Sequence, residues 1–423
     1  MNPLLSRLKA FVADDLFKHT AILFSGLMVV NVCNLIYQMA VSRALPETEY
    51  ALLAAFLGVL AIISYPLSTL TTGLSRYSSL LRQSGRTGDV GRLLVKWLIL
   101  TGGPAFLLAA GIIVFNRPVA GFLHLDRSAP VLIAGAVLPA LFWLPVLTGT
   151  AQGLQLFGWC SASSILGSLI RLGLGAGFVW FWVPACGWAM LGHGAGIYMS
   201  ALILLPGIFL LLRKQAAGGE PLPSLRFYLA QSFLIQSAFA VLMNADVVLV
   251  KHYLPGNTEF AYAAMLGRIA AFLPVAVTVA MFPKVASDGV FTDGHRRIFL
   301  RSFGLTALCA AGAAAGCMLF PGLLLRILFG IRQAPDSLIY LTRLMALAMS
   351  ASALLNVVVQ FLLAQHRFKE MVSVGLACGL YLLSAHLLHG TAGQIAVASG
   401  VFNLVALTAG FLAVLRLKPV TQP

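Results

Sequence analysis

SRALPETEYALLAAFLG, residues 42–58, and KHYLPGNTEFAYAAMLG, residues 251–267, are two versions of one helical hairpin. Each leaves a polar-spotted apolar stretch through Leu-Pro, passes Thr-Glu-aromatic-Ala, and enters a second apolar stretch. The register continues beyond the hairpin: Pro66 stands ten residues before Arg76, and Pro274 ten before Lys284. Offsets between the copies stay within 208–210 positions, about half of the 423 residues. An offset held this constant in an apolar chain marks an internal duplication, so the fold is expected as two related halves.

Two further echoes follow in the same order. NRPVAGFLHLDR (116–127) returns as FPGLLLRILFG (320–330), and QLFG (155–158) as HRFK (366–369). Over its whole length the chain is 60% hydrophobic and 10% charged, against roughly a quarter charged in soluble domains. Apolar runs of about 20 residues, enough to cross a bilayer as helix, recur with short breaks. Twelve spans are expected, at 20–43, 48–80, 93–115, 129–153, 157–183, 186–213, 227–253, 259–286, 297–320, 336–365, 370–389 and 392–415. With six spans per copy, an even number, the copies share one orientation and form parallel repeats about an axis along the membrane normal. The expected fold class is therefore an all-α integral membrane protein of 12 transmembrane helices in two parallel six-helix repeats. Its divisions are an amphipathic N-terminus (1–19), a first lobe (20–213), a Gly- and Pro-rich linker (214–226), a second lobe (227–416) and a tail (417–423). The first span follows a polar, amphipathic leader without a small-residue cleavage site, and is read as a retained helix.

Small residues are dense within the spans, which lets helix backbones approach closely in lipid. Prolines inside them (Pro66, Pro104, Pro139, Pro145, Pro274) predict kinks, and the long second run is expected to break at Pro66. The six cysteines (33, 160, 186, 309, 317, 378) show no CxxC and no metal spacing, and read as buried free thiols.

A net charge of +15 first suggests a polyanion. Its placement says otherwise. With the N-terminus inside, nineteen Lys and Arg fall on cytoplasmic segments and seven on the opposite side. That is a positive-inside bias, which puts both termini in the cytoplasm of a cell membrane and leaves nucleic-acid binding without support.

Ionisable groups deep in hydrocarbon are costly and are functional candidates by default. Three are placed deep: Arg171, Asp246 and Arg268. Measured from Leu-Pro at 254–255, Asp246 lies about 10 Å down one helix and Arg268 about 13 Å down the next. Adjacent antiparallel helices bring them to similar depth, either as a structural ion pair or with Asp246 as an ion-coupling acid. Arg171 has no carboxylate in the spans of its own half. Asn31, Asn34 and Gln38 fall within about 60° on one face of the first span, and Asn356 and Gln360 one turn apart on the tenth. Such stripes either bond neighbouring helices or line a cavity. A transporter of organic cations would need deep acids, yet Asp246 is alone. An interior dominated by arginine suits an anionic cargo such as a phosphate or pyrophosphate.

Enzyme chemistry finds no footing here. The sequence holds no Gly-rich phosphate loop, no HExxH, no paired deep carboxylates and no nucleophile elbow, and its histidines do not cluster with acids at ligand spacing. No cofactor is expected, and energy is expected from a coupling ion, Na+ or H+, from membrane potential, or from cargo consumption elsewhere.

The run FKHTAILFSGLMVVNVCNLIYQMAVSRALPETEYALLAAF, together with NADVVLVKHYLPGNTEFAYAAMLGRIAAFLPVAVTVAMFPKVA, resembles the polysaccharide biosynthesis (Wzx-like) flippases. These belong to the multidrug/oligosaccharidyl-lipid/polysaccharide (MOP, MATE-like) exporter superfamily. The motifs that carry it are R-x-L-P-x-x-E-Y, the Asp before K-H-Y-L-P, F-P-K at the end of the eighth span and L-F-G after the ninth. The resemblance implies two six-helix lobes in a V around a central cavity, and alternating access that moves a lipid-linked saccharide outward, as in O-antigen or exopolysaccharide export. It implies that Arg171, Arg268, Arg76 or Lys284 holds a polyprenyl diphosphate, while Asn31, Asn34, Gln38, Asn356 and Gln360 meet sugar hydroxyls. Membrane lipids, a polymerase and glycosyltransferases are the implied partners. Two other readings stay open: a cation-coupled drug antiporter of the same superfamily using Asp246, and a non-transporting scaffold of a polysaccharide assembly complex.

Overall fold

In the computed structural model of the chain, residues 15–125, 127–213, 215, 218, 226–272, 277–278, 281, 285 and 291–418 are described. Lys284 and Pro274 lie outside them, as do most of the 214–226 linker and the first fourteen residues. The described elements are all helical: α1 (Asp15–Ala44), α2 (Glu47–Gln83), α3 (Thr87–Val114), α4 (Asn116–Phe122), α5 (Ala129–Gly153), α6 (Phe157–Ile170), a π-helical turn (Arg171–Ala176) and α7 (Gly177–Phe181). There follow α8 (Cys186–Leu212), α9 (Arg226–Tyr253), α10 (Glu259–Phe272), α11 (Asp293–Leu319), α12 (Pro321–Phe329), α13 (Asp336–Ala364), α14 (Val372–Leu387) and α15 (Ala392–Arg416). Among the described residues, 11 helices are long and apolar enough to cross a membrane. α10 begins at the eighth expected span and is described for 14 residues.

One expectation is corrected. The second apolar run does not break at Pro66: α2 is continuous over 37 residues with Pro66 inside it. Proline removes one backbone donor and crowds the carbonyl four residues earlier, but in a long helix the remaining ladder carries through.

The duplication is visible in the backbone itself. α5 ends with Gln155 in the left-handed region (φ 58°), and α13 ends with His366 in the same conformation (φ 55°). The hydrogen bonds match bond for bond: Leu156 N–H donates to Ala151 O as Arg367 N–H donates to Leu362 O, and Gln155 to Gln152 as His366 to Leu363. This six-to-one closure satisfies the last carbonyls of a helix, and the left-handed residue is what turns the chain out. The short helices α4 and α12 repeat too, each closed by a left-handed residue, His124 (φ 53°) and Gly330 (φ 79°).

The chain clusters into two compact units. One comprises Met1–Leu45, Leu67–Ala120 and Asp126–Leu229; the other Pro46–Pro66, Gly121–Leu125 and Ala230–Pro423. The division within α2 falls at Pro66. In the first unit α5 packs on α3 and α8, and α6 on α8 and α1; in the second α13 packs on α10, α11 and α15, and α14 on α15. The fourth span, α13, is thus the hub of the second half, whereas in the first half α8 holds that place, packing on α5, α6 and the π turn. α13 has 72% of its most apolar window buried against 22% for α11, which places the core of the second unit around α13. An apolar helix buried over most of its surface belongs to the interior of a bundle.

Candidate functional site

In the first unit, α6 and α8 lie almost backbone to backbone. A Cβ on Gly192 would come within 2.2 Å of Gly175 backbone atoms, and one on Gly196 within 2.5 Å of Gly167 O. Ser163 and Ser200 tie the same helices reciprocally, each hydroxyl donating to the other's carbonyl (2.7 and 3.0 Å). Small residues at four-residue spacing permit this approach, and hydroxyl-to-carbonyl bonds reinforce it in a medium without water.

At the end of that contact the helix widens into its π turn, which starts at Arg171. Single π turns inside α-helices frequently mark functional sites. Arg171 Nη1 donates to Asn34 Oδ1 at 3.2 Å. Its Cζ lies 4.2 Å from the centroid of the Tyr37 ring, a cation–π distance. Tyr37 is fully buried, and its hydroxyl donates to Ala189 O at 3.0 Å, which holds the ring in place. Among the described residues Arg171 has no carboxylate partner, and its buried Nε has no hydrogen-bond partner. His193, one residue from Gly192 on α8, likewise has a buried Nδ1 without a partner. The site is therefore a half-buried guanidinium held by an amide and an aromatic face, with donor capacity left over.

The second unit treats its arginine differently. Arg268 Nη2 is ion-paired to Asp246 Oδ1 and lies 3.4 Å from Met243 O. Asp246 is fully buried and also accepts from Val247 N–H at 2.9 Å. Asp246 Oδ2, Arg268 Nε and the buried Tyr381 hydroxyl have no hydrogen-bond partner among the described residues. On α15, Asn403 donates to Leu242 O (3.1 Å) and Ser399 O (2.8 Å), pinning α15 to α9.

The other candidates fall in varied places. Gln360 Nε2 donates to Asn356 Oδ1 at 3.4 Å, so these two bond each other, and Asn356 is buried. Gln38 is buried, while Asn31 and Arg76 are exposed on the first unit. Lys284 lies outside the described residues. Two polar residues on α9 bond back to their own helix, Asn244 Nδ2 to Ala240 O (3.1 Å) and Ser237 Oγ to Phe233 O (2.8 Å), while the buried Ser232 Oγ and Gln236 Oε1 have no hydrogen-bond partner among the described residues. Of the expected set, the structure brings together Asn34 with Arg171, Asp246 with Arg268, and Asn356 with Gln360. Sequence reasoning missed Tyr37 as the Arg171 partner. A signal was present: Tyr37 occupies the repeat position of Asp246, 209 residues away. Among the described residues no group of His, Cys, Asp and Glu is arranged to hold a metal ion.

With this geometry in hand, the comparison with known proteins is informative about the fold. No protein-family model matches the sequence, and no curated protein matches it significantly. Solved structures do match. An inward-facing multidrug-resistance MATE family transporter of the MOP superfamily superposes with a TM-score of 0.64 at 15% identity, covering 93% of this chain and 97% of that one. The lipid II flippase MurJ, in an inward closed conformation, gives 0.66 at 11% identity, covering 93% and 87%. A MOP superfamily transporter from Pyrococcus furiosus, described by the reverse polarity of its binding pocket, gives 0.61 at 15% identity over 93% of both chains. The chain therefore has the fold of these MATE and MurJ structures.

Proposed function

We propose that this protein is a membrane flippase of the cytoplasmic membrane, with both termini cytoplasmic, translocating a lipid-linked saccharide by alternating access. The observation that carries the proposal is Arg171, a guanidinium that has, among the described residues, no counter-carboxylate and no hydrogen-bond partner for its buried Nε. An uncompensated charge in a membrane-spanning bundle is retained at a cost, and the usual return is a function. A guanidinium presents a planar donor fork that matches phosphate oxygens. Asn34 and the Tyr37 face orient that fork, and the polar side chains of Asn31 and Gln38 lie along the same helix for sugar hydroxyls. The MurJ likeness supports a lipid-linked cargo, since that protein is named as a flippase of lipid II.

The drug-antiporter reading needs an acid open to an exchanging cation. Asp246 instead already faces Arg268, and this favours an anionic cargo. Cells lacking the protein, complemented with Arg171→Ala, are expected to make the folded protein and lose export of surface glycan, with the lipid-linked intermediate accumulating inside. Surface glycan at wild-type level in that strain would overturn the proposal. A scaffold without transport is separated by labelling single cysteines placed at Asn34 and Asn356 from each side: a transporter exposes both to water in one state, a scaffold in none.

A further inference from the structure

Arg171 is not alone beside the π turn in having bonding capacity left over. His193 stands on α8 between Gly192 and Gly196, the two glycines that bring α8 against the π turn and α6. A Cβ on Gly196 would lie 3.2 Å from the Cβ of Arg171. Side chains three residues apart on a helix start about 5–6 Å from each other, so those of His193 and Arg171 start within about 9 Å. The charge of Arg171 acts on the imidazole across that gap. Arg171 Nε and His193 Nδ1 are both buried, and neither has a hydrogen-bond partner among the described residues. Two orphaned polar atoms brought by two helices to one place are costly unless a ligand meets them.

The neighbouring helices supply no anion. α8 packs on α3, α5, α6, the π turn and α7. Of these, α5 and α7 carry no titratable side chain, α6 carries only Cys160, and α3 only Asp89, Arg92 and Lys96 near its start. Asp89 is already paired with Arg86 and Arg92. α8 itself adds Cys186 and Tyr198, and Tyr37 reaches it from α1 through Ala189 O. The diphosphate of a lipid-linked saccharide carries a negative charge on each phosphorus. Arg171 answers one, and the other would enter the bundle uncompensated. A neutral imidazole offers one N–H and one lone pair, whereas an imidazolium donates from both nitrogens and balances the second charge. Before the anion arrives, a second cation beside Arg171 meets repulsion; afterwards it meets attraction. We propose that His193 is the second ligand of the Arg171 site, taking up a proton from water as the diphosphate is seated and returning it on release. This rests on the reading of Arg171 as a phosphate ligand, and no bond of the cargo is made or broken.

The test is isothermal titration calorimetry of the purified full-length protein in detergent with farnesyl diphosphate. Run at about pH 7.5, above the ordinary range of histidine, in two buffers of unlike ionisation heat, it counts the protons taken up on binding. The expected count is about one per ligand, with affinity falling by up to roughly ten-fold per pH unit above neutrality. His193→Gln should bind the diphosphate roughly ten-fold more weakly, the worth of one charge-assisted hydrogen bond, with no proton uptake. Farnesyl monophosphate, which engages Arg171 alone, should bind the unaltered protein and His193→Gln alike. Diphosphate binding without proton uptake, or undiminished uptake in a folded His193→Gln protein, would overturn the role of His193 and leave the reading of Arg171 standing. Failure of the unaltered protein to bind either ligand would overturn both. The proton count on the unaltered protein needs no variant, so a misfolded mutant leaves it decisive.

Discussion

The two halves of this protein hold one deep arginine each and answer it in opposite ways. In the first, Arg171 rests on the face of Tyr37 and bonds Asn34. In the second, Arg268 pairs with Asp246. Tyr37 and Asp246 are the same position of the repeat, so one scaffold site supplies an aromatic face in one copy and a carboxylate in the other. The electrostatic consequences diverge. A buried pair is internally neutral, and it acts as a fastening between α9 and α10. A guanidinium on a π face keeps its whole charge and part of its donor capacity. Duplication preserved the frame, and the chemistry diverged within it.

The most forceful way to break this contrast is to remove the carboxylate. Asp246→Ala leaves Arg268 buried without its partner and should destabilise the protein by about 3–5 kcal/mol, read as loss of thermal stability in detergent. Adding Arg268→Met to that variant should recover most of the loss, because two charges then leave together. Gly192→Leu should cost about 1–3 kcal/mol by forcing α8 away from the π turn, and transport should fall with it because Arg171 loses its support. Tyr37→Phe keeps the π face but drops the bond to Ala189 O, a change of about 1 kcal/mol, measurable as a small shift in unfolding temperature with export retained. The subtlest test compares the twin caps. Gln155→Gly and His366→Gly should each stabilise by about 0.5–1 kcal/mol, since a left-handed backbone disfavours a Cβ and not a glycine. Matching gains at both would sharpen the symmetry of the repeat.

Much of the frame was legible without coordinates because it depends on local patterns. The apolar runs, the repeated Leu-Pro hairpin and the echo of QLFG in HRFK gave the repeat order, and the backbone at Gln155 and His366 has the same form. The depth arithmetic for Asp246 and Arg268 worked because those residues flank one short turn, which leaves two antiparallel helices little freedom. Arg171 was recognisable as a deep charge, but its surroundings were not. Asn34 is 137 residues away, and nothing along the chain says that the first and fifth spans are neighbours. The π turn was equally hidden, since RLGLGA is as compatible with ordinary helix and takes this form where Gly175 meets Tyr37 and α8.

What the sequence determined by itself was an all-helical, membrane-spanning, duplicated chain with an arginine-biased interior. Hydrocarbon forces backbone groups to bond within each helix, so hydropathy and spacing alone specify spans and their order. Which charge is neutralised and which is left available was decided only in three dimensions. Ion pairing and cation–π contact depend on distances of a few ångströms between spans, and these follow from side-chain packing between helices that no local pattern encodes.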